Sequence, residues 1–277
     1  MKKQKHFFQH PDLYVRQSAQ IGVKMTEKEI KQLSVIKLLL FVFIPALLIL
    51  GAYSWAVRFR AVVPPFFSFM LIILIVLIPI ELGIILYFSK KEYGKLNLQS
   101  AFAGHKKMPV IKIISISLVF IIFGALVFTF ISPIESHFMF KTIFRNVPEY
   151  FKLSDFLKQY GNYPKGIVTA SLMLYAVGNG ILGPVVEELY FRGLLMPRIN
   201  RFGTWAPVLI TLLFSAYHLF SPWENATRVI ACFPFVYCVY KKKNIYIGMV
   251  VHCTLNMASV IMTIVNLMSD TGFWLRT

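Results

Sequence analysis

The chain has 277 residues, 57% hydrophobic and only 15% charged, with a formal net charge of +17. A mean hydropathy of +0.65 excludes an ordinary soluble domain, in which about a quarter of residues are charged. Nucleic-acid binding is excluded too, because the basic residues do not line a reading element but collect at the ends of apolar runs: Lys2, Lys3 and Lys5; Lys90, Lys91, Lys106 and Lys107; Arg198 and Arg201; Lys241, Lys242 and Lys243. That placement is the positive-inside pattern of a protein held in a lipid bilayer with anionic headgroups.

In chain order, residues 1–33 read as a basic cytosolic arm. A first apolar span is expected over Val35–Val57, an uncleaved anchor that ends at Arg58 and Arg60 before the turn at Pro64-Pro65. A second covers Phe66–Phe88, a basic loop 89–108 follows, and a third covers Val110–Ser132. Residues 133–165 form the longest polar connection. The fourth span begins near Gly166, with a kink or break expected between Gly178-Asn179-Gly180 and Gly183-Pro184, and continues to Ile199. The fifth is expected over Thr204–Phe220, the sixth over Ala226–Tyr240 and the seventh over Ile245–Leu267, before a short polar tail. The expected fold is thus all-α, a polytopic transmembrane bundle of about seven spans. Its parts are the arm 1–33, N-terminal helices and loops 34–164, a membrane core 165–267 and the tail 268–277. Alternating the loops puts 89–108, 198–203 and 241–243 in the cytosol with the N-terminus, and leaves the C-terminus outside. Cys232, Cys238 and Cys253 all fall in apolar stretches without metal or disulfide spacing.

Ionisable groups inside apolar spans are costly and mark functional sites. The fourth span carries Glu187, Glu188 and Arg192, the fifth His218, and the seventh His252 and Asn256. Glu188 and Arg192 are spaced i, i+4 with the acid first, the favourable order for an ion pair within one helix. Glu187 lies about 100° around the helix and is left over, a candidate general base. Counted back from Ile199, Glu187 is about 18 Å deep, and His218 counted in from Thr204 is about 21 Å deep. The two can therefore share one level of a helical hairpin reached from the cytosolic side, with Phe214, at i−4 from His218, packing beside its ring. His252 and Asn256 share a face at i, i+4 and offer donors to a developing negative charge. Glu187 and His218 can then activate a water while His252 and Asn256 hold the carbonyl oxygen under attack, in a polar site between spans 4, 5 and 7. Glu81, in the second span, has no motif partner and reads as a packing or interfacial residue. Arg228 is expected to snorkel to the interface, and Cys253 to be a buried structural thiol.

These residues carry a recognisable pattern. Glu187-Glu188-Leu189-Tyr190-Phe191-Arg192-Gly193 fits EExxxR, Phe214-Ser215-Ala216-Tyr217-His218 fits FxxxH, and His252-Cys253-Thr254-Leu255-Asn256 fits HxxxN, in that order. Over roughly Gly166–Leu267 the chain resembles the CAAX protease and bacteriocin-processing family, also called CPBP or Abi, which includes the type II CAAX prenyl endopeptidases. The resemblance implies a membrane-embedded glutamate-type endopeptidase without a metal cofactor. In it Glu187 and His218 would activate water, His252 and Asn256 would stabilise the oxyanion, and Glu188 and Arg192 would support them. The substrate would be a membrane-associated protein or peptide, and in bacterial relatives the fold serves peptide maturation, bacteriocin immunity or cell-envelope regulation at the cell membrane.

Three other readings remain open at this point. Glu187, His218 and His252 also make a plausible zinc triad, which chelator-sensitive activity restored by zinc would favour, although the chain lacks HExxH. A catalytically silent membrane scaffold or immunity protein would keep the fold and bind a partner peptide without turnover. A transporter would use Gly178–Pro184 as a broken helix at a midplane site, but no inverted repeat accompanies it.

Overall fold

The computed structural model describes residues 30–152 and 160–269. Most of the expected basic arm, including residues 1–29, and the tail from residue 270 lie outside the described residues. Contacts divide the chain into Met1–Lys31 and Gln32–Thr277, and the helical bundle belongs to the second unit. Among the described residues every regular element is helical, as the apolar periodicity requires.

Helix α1 (Val35–Ala56) opens at Ser34, whose hydroxyl accepts from the Lys37 N–H. Helix α2 (Pro65–Tyr93) is 29 residues long and includes a π-helical turn at Ile73–Leu77. Helix α3 (Val110–Phe130) and a short α4 (Ser132–Lys141) follow. Helix α5 (165–195) alternates between α and π winding: Tyr175–Leu182 is π-helical, Gly183–Glu187 is α-helical, and Glu188–Leu195 is π-helical again. The break expected between Gly178 and Pro184 is thus a change of winding within a continuous helix. Helix α6 (Ala206–Tyr217), α7 (Asn225–Lys242) and α8 (Ile245–Ser269) complete the bundle.

Five helical runs among the described residues are long and apolar enough to cross a membrane, against the seven expected. Two elements account for the difference. Lys165–Tyr217 forms one run because helical turns continue through Met196–Trp205. That connection nevertheless breaks at Ile199 and at Gly203, whose φ of 56° and ψ of −129° suit only glycine. Phe191 of α5 then meets both Phe214 and Tyr217 of α6, the contact pattern of an antiparallel hairpin. Helix α7, with Arg228, Pro234 and two terminal lysines, does not reach the hydropathy of a span.

The α6–α7 turn is sunk into the bundle. Helix α6 has 12 residues rather than the span of Thr204–Phe220 read from the sequence. That is only about 18 Å of helix, well short of a hydrocarbon core about 30 Å thick. Irregular backbone at such depth must be satisfied by protein. Here the Ser215 hydroxyl donates to the Asn225 carbonyl at 2.8 Å, the His218 N–H to the Ser215 carbonyl, and the Ser221 N–H to the His218 carbonyl. Arg228 is only 8% exposed and donates to Asn225 Oδ1 at 2.8 Å and Ser221 Oγ at 2.9 Å, with Glu224 Oε2 at 3.6 Å. It does not snorkel, because these partners meet its charge in place. From α4, Glu135 accepts from the Ala226 and Thr227 N–H groups, which satisfies the open start of α7.

The basic connections meet at the opposite end. Arg198, fully buried, donates to Glu92 at 2.5 Å and to the Leu194 carbonyl, and its own carbonyl accepts from the Leu33 N–H. The Lys106 N–H donates to the Lys243 carbonyl, and Asn244 Nδ2 to the Lys106 carbonyl. The three basic stretches 89–108, 198–203 and 241–243 therefore share one end of the bundle.

Candidate active site

Helix α8 brings a polar stripe onto α5. Gly248, His252 and Asn256 follow at four-residue spacing on one face. At Gly248 an added Cβ would collide with the Glu188 carboxylate. The glycine lets the α8 backbone approach the buried glutamate, a role not read from the sequence; the i−4 spacing to His252 was the available signal. One turn on, His252 places its two ring nitrogens on the two glutamates: Nδ1 is 3.2 Å from Glu188 Oε1 and Nε2 is 3.7 Å from Glu187 Oε2. One further turn on, Asn256 Nδ2 donates to the Asn179 carbonyl at 3.0 Å. Only the amide nitrogen can serve a carbonyl, so this bond fixes the flip of the amide and leaves its second N–H free to donate elsewhere. Asn179 lies in the first π-helical stretch, where altered winding disturbs the backbone ladder and side chains take up freed groups.

Neighbouring residues on a regular α-helix diverge by about 100°, yet Glu187 and Glu188 both reach the same imidazole. They straddle the junction where α winding ends at Glu187 and π winding begins at Glu188. The pairing of Glu188 with Arg192 is present at 3.2 Å, with both side chains fully buried. The guanidinium makes no aligned hydrogen bond there. It is held by ring faces instead, 4.1 Å from the centroid of Phe214, 5.5 Å from Phe235 and 5.9 Å from Phe191. Glu188 Oε1 thus serves both Arg192 and His252, while Oε2 is buried without a hydrogen-bond partner.

His218 is not inside the helix but caps it, with φ −77° and ψ 58° just past Tyr217. Its Nδ1 lies 2.8 Å from the Phe214 carbonyl. A carbonyl only accepts, so Nδ1 carries a proton, and in the neutral ring Nε2 is the basic nitrogen. Phe214 packs against this ring with centroids 4.8 Å apart, and against the His252 ring at 5.7 Å. One aromatic residue thus separates and orients both histidines. Among the described residues no ion pair joins His218 to Glu187. Cys253 points away, its thiol 3.9 Å from the Ile181 carbonyl. Among the described residues no group of three or more His, Cys, Asp and Glu side chains is arranged to hold a metal ion.

The arrangement defines a class: an integral membrane helical bundle with paired carboxylates, two imidazoles and an amide gathered inside it. Residues 169–258 match the family model for the type II CAAX prenyl endopeptidases, Rce1-like, a stretch that contains every residue of the cluster just described. Over that stretch the chain is similar to the CAAX proteases, a family of membrane proteases. Comparison with curated proteins found no match, and neither did comparison with solved structures.

Proposed function

We propose that the chain is a glutamate-type intramembrane endopeptidase that hydrolyses a peptide bond in a membrane-associated protein or peptide, by residues alone and without a metal. The observation that carries the reading is the pair of carboxylates against His252, across Phe214 from a His218 whose Nε2 is left basic. A water between Glu187 and His218 Nε2 loses a proton to Glu187 as its oxygen bonds to the scissile carbonyl carbon. The carbonyl oxygen becomes an oxyanion, which the free Asn256 N–H stabilises, with His252 donating from Nε2 when both of its ring nitrogens carry a proton. The C–N bond then breaks, and the proton held by Glu187 passes to the leaving nitrogen. Glu188 and Arg192 keep His252 and the helix junction in register.

The same reading puts the shared basic end, with residues 89–108, 198–203 and 241–243, in the cytosol with the N-terminus, and the C-terminus outside. Peptide maturation at a cell membrane is the matching role.

The test compares cells expressing the wild type with cells expressing Glu187→Gln at equal membrane abundance, with new peptide termini mapped in membrane and medium. Termini that depend on Glu187 establish proteolysis and name the substrate. Identical termini in both, with any cellular phenotype preserved in the mutant, would make the protein a binding scaffold.

A further inference from the structure

Glu81 lies outside the family-matched segment and has no part in the mechanism above. It sits in α2, shortly after the π-helical turn, and its side chain is fully buried. A carboxylate in that position is costly unless its oxygens are served. Oε1 accepts from the Tyr217 hydroxyl at 2.9 Å; Oε2 is buried with no hydrogen-bond partner. Packing alone does not explain the pair, since a leucine against a phenylalanine would fill similar space without desolvating a carboxylate.

Tyr217 is where this contact matters. It is the last residue of α6, fully buried, with its ring 5.1 Å from Phe191 and 5.2 Å from the His218 ring. At the next residue the backbone leaves helical geometry, and the His218 imidazole turns back on Phe214. A hydroxyl tied to α2 at that point fixes where the helix ends, and so where His218 Nε2 points. Glu187 and Arg192 are within electrostatic reach of Glu81, so its carboxylate borders the cluster.

We infer that Glu81 is a positioning residue for His218, acting through the Tyr217 hydroxyl, so that the N-terminal helices complete a site otherwise built from residues 169–258. The inference rests on the endopeptidase reading for its effect on rate, but not for its effect on His218 itself. The full chain is purified as wild type and as Glu81→Leu, Glu81→Gln, Tyr217→Phe and the Glu81→Leu/Tyr217→Phe double variant. The first readout is carbethoxylation of His218 by diethyl pyrocarbonate, mapped by mass spectrometry with His252 as internal reference. The second is kcat and KM on a peptide whose cleavage depends on Glu187. Glu81→Leu and Tyr217→Phe should each change His218 labelling relative to His252 severalfold and lower kcat about 10²-fold at unchanged KM. The double variant should be no worse than either single one. Glu81→Gln keeps an acceptor for the tyrosine hydroxyl and should stay close to wild type. If Glu81→Leu does not fold, Tyr217→Phe carries the test, because the ring remains. His218 labelling unchanged in a folded variant, Gln as damaging as Leu, or additive losses in the double variant would each overturn the inference. A wild type with no Glu187-dependent cleavage would sink the endopeptidase reading, and His218 labelling would still decide the positioning.

Discussion

Replacing Gly248 with alanine is the smallest change that tests the geometry of the site. The added methyl would meet the Glu188 carboxylate, which is fully buried and held between Arg192 and His252. Either the carboxylate shifts or α8 backs away from α5. Overpacking of this kind costs about 1–3 kcal/mol, a loss that a folded membrane bundle can tolerate. Activity should suffer more than stability. Both escapes move His252, whose ring nitrogens lie 3.2 and 3.7 Å from the two glutamates, and a displacement of about 1 Å at a reacting centre can cost about 10²-fold in rate. Gly83→Ala is the matched control, because a Cβ there meets nothing within 4 Å. The assay is thermal unfolding in detergent beside the rate of Glu187-dependent cleavage, at equal protein. Gly248→Ala should retain a cooperative transition and lose about two orders of magnitude in rate, with Gly83→Ala close to wild type in both. Full activity in a folded Gly248→Ala protein would show that the close approach of α8 to Glu188 does not set the site.

Asn256→Ala should lower kcat by about 10²- to 10³-fold with little change in KM, as removal of an oxyanion donor does; an equal loss in KM alone would assign Asn256 to substrate binding. Arg192→Ala should be a folding defect before it is a catalytic one: it strands the buried Glu188 carboxylate, at a cost of about 3–5 kcal/mol, and should lower the detergent unfolding temperature, whereas the double change Glu188→Gln/Arg192→Met should recover much of that loss. In the loop before α3, half-buried His105 packs on Phe102 and Tyr246, and burial lowers its pKa below the ordinary histidine value. Because the folded-state value is the lower one, the loop's contribution to stability is present above the unfolded pKa and fades as pH falls through the folded one. Histidine NMR should show His105 titrating below a free histidine, and His105→Phe should remove that part of the acid sensitivity.

The helices were legible because lipid forces apolar runs and short polar breaks, and the helical bundle follows from that alone. Where each helix ends was less legible. Hydropathy does not mark the end of a helix inside an apolar stretch, and α6 ends at Tyr217 where Ser215, Ser221 and Arg228 satisfy the backbone of the turn into α7. The sequence spacing showed Glu188 with Arg192 and Phe214 with His218, since i, i+4 neighbours meet on any helix. It could not show Glu187 and Glu188 both reaching one imidazole, because that depends on α8 bringing His252 onto α5 between the two side chains.

Gly248 went unread, and Glu81 was read only as a packing or interfacial residue, for a related reason. One acts by the absence of a side chain, with only its i−4 spacing to His252 as a signal, and the other through a tyrosine 136 residues away in the chain. Both bear on how a polar cluster keeps its shape in a bilayer. Apolar packing holds the helices together without fixing an imidazole to within the fraction of an ångström that proton transfer demands. In this chain that precision comes from polar contacts between helices: Asn256 on the Asn179 carbonyl, His252 on two carboxylates, and Tyr217 on Glu81. They tie α8 to α5 at two levels, at the first π stretch and at the winding junction, and α6 to α2. Loss of any one should therefore loosen a different coordinate of the site while the apolar bundle stays assembled, and kcat, not membrane abundance, is where the three losses should register.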